Sequence, residues 1–303
     1  MTHWILTTPE GFSLAHLLQR SSSLILPPFH SSYNGDLDRV ERLSSGRTVR
    51  FSISEASAGV QVRVDERLSG EEREELSRKV WRMLRLGEDF RDFFALLEGE
   101  TLRPLLPFLE EGARFLRGTT LLEDMVKAFV LTTRPLALAV YRLSQLVEQL
   151  GDPWPSNPTR HAFPSAVQIL QSLRLLYDIL GEETGAELRA LLAAYLTAED
   201  RLLTLERRDF SSVVVAAQFQ VLPGITECRL ALIMFSLGHY AYIPSDLCAW
   251  SCWHRKPAPD GVDAETIAEL CAPWQPWGGL VYLLWDWNRL LDPTYEGHLA
   301  LHN

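Results

Sequence analysis

Leu222-Pro223-Gly224-Ile225-Thr226-Glu227-Cys228-Arg229, followed by an apolar run and then by Ile243-Pro244-Ser245-Asp246, prescribes a tight turn between two helices. Proline presets one backbone angle and glycine tolerates the left-handed region, so Pro223 and Gly224 together allow the chain to reverse sharply. Ile225 offers an apolar plug into a core, while backbone N–H groups at the start of the next helix are left to face an anion such as a phosphate. Behind the turn, Leu230, Ile233, Met234 and Leu237 fall at i, i+3, i+4 and i+7, the stripe of a helix packed on its neighbours. Gly238 supplies its stop. A short loop through His239, Tyr240 and Tyr242 leads to Pro244, and Asp246 then heads a further helix beginning Leu247-Cys248-Ala249-Trp250. Asp is a good N-cap there, and a carboxylate set just behind an anion-binding turn is also a candidate catalytic group.

Outward from this turn the periodicity changes along the chain. Val49, Phe51 and Ile53, then Val60, Val62 and Val64, alternate with other residues around a Ser-Ala-Gly turn, the pattern of a β-hairpin with one buried face. Capping boxes are expected at Ser69 with Glu72, Thr120 with Glu123 and Ser165 with Gln168. From about residue 100 onward helical periodicity dominates. The proline-rich run Gly151 to Pro158 cannot stay helical and reads as a surface loop. An α+β fold is expected: a small antiparallel β-containing domain with an exit helix over residues 1–100, then an all-helical domain over residues 101–303.

With 303 residues, 47% hydrophobic and 22% charged, the chain is long enough for two domains with their own cores. Its formal net charge of -10 argues against a broadly basic surface, because nucleic-acid phosphates must be met by Lys or Arg. Any such footprint must be local. Arg201, Arg207, Arg208, Arg229, His239, His254, Arg255 and Lys256 surround the turn in sequence, while acidic residues gather elsewhere, as from Glu71 to Glu75. These basic residues are read equally well as solvated faces. Cys228, Cys248, Cys252 and Cys271 lack the close spacing of an iron–sulfur or zinc site, so no metal ligand set is expected. No secretory or membrane-spanning run is evident, which makes a reducing cytoplasm the expected location.

The turn and its surroundings resemble the helix-hairpin-helix (HhH-GPD) DNA glycosylases, and in particular the 8-oxoguanine and 3-methyladenine branches. In that superfamily the hairpin reads Leu-Pro-Gly-Val/Ile-Gly, and an Asp preceded at short range by Pro follows the next helix. Leu222, Pro223, Gly224, Ile225, Pro244 and Asp246 match, with the family's separation between Gly224 and Asp246. The resemblance continues, less specifically, through Arg82-Met83-Leu84-Arg85-Leu86, through Leu121 to Thr133 and through Ala162-Phe163-Pro164-Ser165. The Trp274-Gln275-Pro276-Trp277-Gly278-Gly279-Leu280 segment is similar to the start of the family's last core helix. Five positions depart from the pattern. Thr226 replaces the second hairpin glycine, Cys228 stands where lyase-competent members hold Lys, Arg134 replaces an Asn, and Gly181-Glu182-Glu183 replaces Gly-Tyr-Arg.

The resemblance implies a helical HhH-GPD core behind the β-containing domain and a cleft lined by Cys228 and Asp246. It further implies damaged double-stranded DNA as partner, and DNA contacts through Pro223, Gly224, Ile225, Thr226 and Arg229, with a monovalent cation at the hairpin; a monomer beside the nucleoid is expected. No other cofactor is expected. Breaking an N-glycosidic bond leaves an electron-poor sugar on a flipped-out nucleotide, and Asp246 is the carboxylate placed to stabilise that charge and orient water. A thiol at position 228 cannot form the Schiff base that permits strand cleavage. Lys127 and Lys256 are other amines, but neither falls at the family position. Among Trp274, Trp277, Tyr282, Trp285 and Trp287, most are expected in the core, with one or two left to stack on a base. Three functions remain open: a monofunctional glycosylase acting on an alkylated or oxidised base; a catalytically impaired DNA-damage-binding protein of the same fold; and a helical interaction protein.

Overall fold

A computed structural model describes residues 2–21, 25–31, 35–97, 114–133, 135–206, 209–244 and 263–284. The chain divides into two compact units, Met1–Gly87 with Glu111–Leu203, and Glu88–Glu110 with Thr204–Asn303.

The first unit holds a five-stranded antiparallel sheet. Its strands are β1 (Thr2–Leu6), β2 (Phe29–Ser31), β3 (Leu37–Arg42), β4 (Thr48–Ala56) and β5 (Gly59–Val64), in the order β1-β5-β4-β3-β2. The hairpin expected from the alternation is β4–β5, with Ile53 opposite Val62 and Phe51 opposite Val64. Its apolar face is buried under α1 (Leu14–Arg20) and α2 (Gly70–Met83), where Leu14, Leu17, Leu76, Val80 and Met83 join Val49, Phe51, Val60 and Val62 in one core. Each helix is fixed at its start by a carboxylate. Glu55 of β4 accepts from the Leu14 N–H at 3.0 Å, and Ser69 with Glu72 closes the expected capping box on α2.

Helices α4 (Leu121–Leu131), α5 (Leu136–Leu150), α6 (Ala166–Gln171), α7 (Leu173–Leu180) and α8 (Glu182–Thr204) follow. Ser165 and Gln168 form the second expected capping box. Thr120 caps α4 through the Glu123 N–H, but the Glu123 carboxylate does not return to the cap. It accepts instead from the Thr119 N–H at 3.0 Å, from both terminal nitrogens of Arg39 at 2.9 and 2.8 Å, and from Lys127 Nζ at 2.6 Å. Arg39 and Glu123 are fully buried, and a buried guanidinium has a stronger claim on a carboxylate than one N-cap amide does.

The region expected to be helical throughout contains one small sheet, β6 (Pro153–Trp154) with β7 (Asn157–His161). Closely spaced prolines keep this run extended, as expected, but it pairs with itself rather than remaining a loop. It is tied back to the large sheet. Trp154 Nε1 donates to Glu66 at 2.6 Å, and the Arg160 guanidinium donates to Asp38.

The second unit contains α3 (Arg91–Leu97), α9 (Ser212–Gln220), α10 (Glu227–Leu237), α11 (Ala264–Cys271), a 3-10 turn (Ala272–Trp274) and α12 (Gly278–Leu284). An aromatic cluster organises it. Tyr240 stacks on Trp277 with ring centres 5.6 Å apart, Phe90 lies 5.6 Å from both, and the Tyr240 hydroxyl donates to the buried Glu88. Trp277 is therefore a packing residue, the role expected for most of the C-terminal aromatics.

Candidate functional site

The helix-turn-helix expected at residue 224 is α9–turn–α10. Chain reversal begins where Leu222 N–H donates to Phe219 O at 3.0 Å, and Ile225 N–H donates to Leu222 O at 3.3 Å. Gly224 takes φ 71, the left-handed conformation that a side chain opposes. Leu222 is buried beneath the turn, Ile225 is half-buried, and Pro223 and Thr226 are exposed.

Thr226 follows the turn as a β-branched residue. A glycine-like conformation there would be costly for a β-branched residue, but Thr226 lies at φ -87, ψ 166, and its hydroxyl accepts from the Arg229 N–H at 3.3 Å. It is the N-cap of α10. Thr226 thus supplies a cap without strain.

The neighbouring side chains are also placed. Cys228, expected to line a cleft with Asp246, is buried at 1% exposure. It sits on the inner side of the first turn of α10, where a small apolar group packs well. Arg229 is 8% exposed, and its guanidinium turns back to donate to Gly224 O. Tyr242 donates through its hydroxyl to Glu227. Asp246 lies outside the described residues, as do Arg134, Arg207, Arg208, Cys248, Cys252, His254, Arg255, Lys256, Trp285 and Trp287.

Beside the hairpin helix is a pocket that the sequence did not single out. Ala231, Leu232 and Phe235 of α10 form one wall, Gly279, Tyr282 and Leu283 of α12 another, and His239, Tyr240, Tyr242 and Pro244 the rim. Its volume of about 20 Å³ holds no more than a water, so a planar ring would enter only if the aromatic walls moved. His239 Nδ1 lies 3.3 Å from Ser212 Oγ. Leu232 and Phe235 lie off the i, i+3, i+4, i+7 stripe, which is the one trace of this pocket in the sequence. The segment ending at Pro244 is held by Gly279, whose N–H donates to Tyr240 O at 2.7 Å.

The densest charge in the described residues is the buried cluster around Arg39. Burial alone would push its guanidinium down, but Glu123 and Glu41 outweigh burial and hold it above its ordinary value. Glu123 is held well below the usual carboxylate range: burial opposes this, and Arg39 and Lys127 prevail. Burial pushes Lys127 down despite Glu123, with Arg39 adding to the effect. Lys127 also lies over the Phe29 ring, 4.7 Å from its centre. Glu41 bonds Arg39 and Lys79, and Asp124 bonds Arg82 and Arg117. Charges so thoroughly paired are structural. Among the described residues no group of His, Cys, Asp or Glu could hold a metal ion, and the buried Cys271 thiol is pushed up to about 12 by burial. No helix among the described residues is long and apolar enough to cross a membrane.

The sequence matches no protein-family model and no curated protein. The architecture does have solved counterparts, among them DNA glycosylases. An 8-oxoguanine glycosylase/lyase from Clostridium acetobutylicum superposes with a TM-score of 0.67 at 15% identity, over 94% of this chain and 95% of that one. The same enzyme with double-stranded DNA containing cytosine opposite 8-oxoguanine gives 0.64 at 14% identity, over 94% and 96%. A 3-methyladenine DNA glycosylase from Archaeoglobus fulgidus gives 0.65 at 18% identity, over 98% and 99%. Nearly the whole chain thus has the fold that its hairpin resembles.

Proposed function

We propose that this protein is a DNA glycosylase that hydrolyses the N-glycosidic bond of an alkylated or oxidised base and leaves the strand intact. The observation that carries this reading is the turn at Gly224: left-handed, set between α9 and α10, and capped so that the first N–H groups of α10 are presented to an anion. Pro244, on the rim of an aromatic pocket, leads directly to Ser245 and Asp246. The resemblance implies that Asp246, two residues beyond Pro244, stabilises the cation that develops on the sugar of a flipped nucleotide and orients water. Cys228 offers no amine for a Schiff base, which supports hydrolysis over lyase chemistry.

Oligonucleotides carrying single alkylated or oxidised bases, followed by heating in alkali to cut at abasic sites, test this. Base release is expected for at least one lesion, with its loss in Asp246→Asn and no covalent adduct on borohydride treatment. A trapped adduct would show that another amine has assumed the lyase role. Salt-dependent binding to damaged duplex with no base release across the panel would favour the impaired, damage-binding reading.

A further inference from the structure

The resemblance implies a monovalent cation at the hairpin, and the turn itself gives a reason to doubt the fit. Such an ion needs several carbonyl oxygens turned toward one point. Here Gly224 O accepts from the Arg229 guanidinium, Leu222 O from Ile225 N–H at 3.3 Å, and Thr226 O from Leu230 N–H at 2.8 Å. A permanent positive charge already sits on the Gly224 carbonyl and would repel a metal ion brought to the same place.

We propose that Arg229 is the hairpin's resident cation: its guanidinium braces the turn and supplies the positive charge behind the phosphate-facing N–H groups, so that DNA is gripped without a metal ion. This rests on the glycosylase reading for its partner, but on the turn's own geometry for its mechanism. At 8% exposure Arg229 is too enclosed to reach a phosphate as a flexible surface arginine would. Its backbone is also fixed, because its own N–H is the one that the Thr226 hydroxyl caps. Glu227, the other charge in this first turn, is bonded by the Tyr242 hydroxyl. Arg229 is thus a positioning residue, acting on DNA through the Gly224 turn.

Duplex affinity of the full chain, measured by fluorescence anisotropy at constant ionic strength in potassium, sodium or tetramethylammonium chloride, tests the inference. Tetramethylammonium is too large for a ring of carbonyls. Wild-type affinity is expected to agree within about twofold across the three salts, because counterion release is then the only salt effect. Thallium(I) NMR of the DNA-free protein should show no bound ion. Arg229→Met is expected to lose about tenfold in tetramethylammonium and to regain part of it in potassium. A wild-type protein that loses tenfold on leaving potassium, or that binds thallium, overturns the proposal, as does Arg229→Met binding DNA like wild type in tetramethylammonium. If the wild type binds no duplex in any salt, the DNA-binding reading fails, and the thallium measurement still decides the role of Arg229.

Discussion

Glu123 is the side chain whose loss the first unit should tolerate least. It accepts from Arg39, Lys127 and Thr119 inside a fully buried site. Glu123→Leu strands the charges facing it and is expected to cost about 3–5 kcal/mol. Lys127→Met removes a charge that burial already disfavours, and Arg39 still serves Glu123 through two nitrogens; the expected cost is at most about 1 kcal/mol. Urea midpoints compare the two, and equal losses would mean that Lys127 is as necessary as its partner. Both kinds of group make stability rise with pH, in different windows. Glu123 and Asp124 are held low in the folded chain, so the unfolded chain takes up their protons first and stability falls with pH from about 4 downward. Lys127 is also held low, which makes it a cost at neutral pH that lifts as pH rises toward the ordinary lysine range. Lys127→Met should abolish that alkaline gain and also weaken the acid limb, because Lys127 is one of the two charges that hold Glu123 low.

Two elements show where local sequence suffices and where it does not. The hairpin was readable because its determinants are neighbours: Pro223, Gly224 and the stripe from Leu230 to Leu237 need no distant partner. The cap at Thr226 is equally local, since Thr ahead of a helix is an ordinary N-cap signal. The Thr120 box failed because Glu123 meets Arg39 across 84 positions of sequence, a partner that no local pattern announces. The β6–β7 pair was missed likewise, because Trp154 and Arg160 find Glu66 and Asp38 only through tertiary structure. Substitutions in the hairpin should sort accordingly. Gly224→Ala must hold φ 71 and is expected to lose about 1–2 kcal/mol. Thr226→Ala should lose about 1 kcal/mol and Thr226→Gly only a few tenths. If Thr226→Gly stabilised the protein or tightened duplex binding, the cap would not be its contribution.

Over the molecule as a whole, an acidic chain has adopted a fold whose solved counterparts include one bound to DNA. Many of its cations are already committed inside: Arg39, Arg82, Arg117 and Lys127 to carboxylates, and Arg229 to the hairpin carbonyl. With these five engaged and a formal net charge of -10, duplex affinity should fall with log salt at a slope shallower than about -4, because each neutralised phosphate contributes close to one unit. A slope near -8 would reveal a broad basic face instead. The α+β class and the β4–β5 hairpin followed from alternation in residues 49–64; the other three strands of the sheet did not, nor did the division into two units, in which residues 88–97 group with the C-terminal helices.

Gly279 carries a last implication. A methyl group there would stand 2.1 Å from Tyr242 O and 2.9 Å from Tyr240 O, both backbone atoms with no rotamer to escape into. In a saturation screen scored on repair, position 279 would therefore behave like a catalytic residue, rejecting even alanine. Its veto would come from the space it leaves empty, which lets the segment from Tyr240 to Tyr242 run flush against α12.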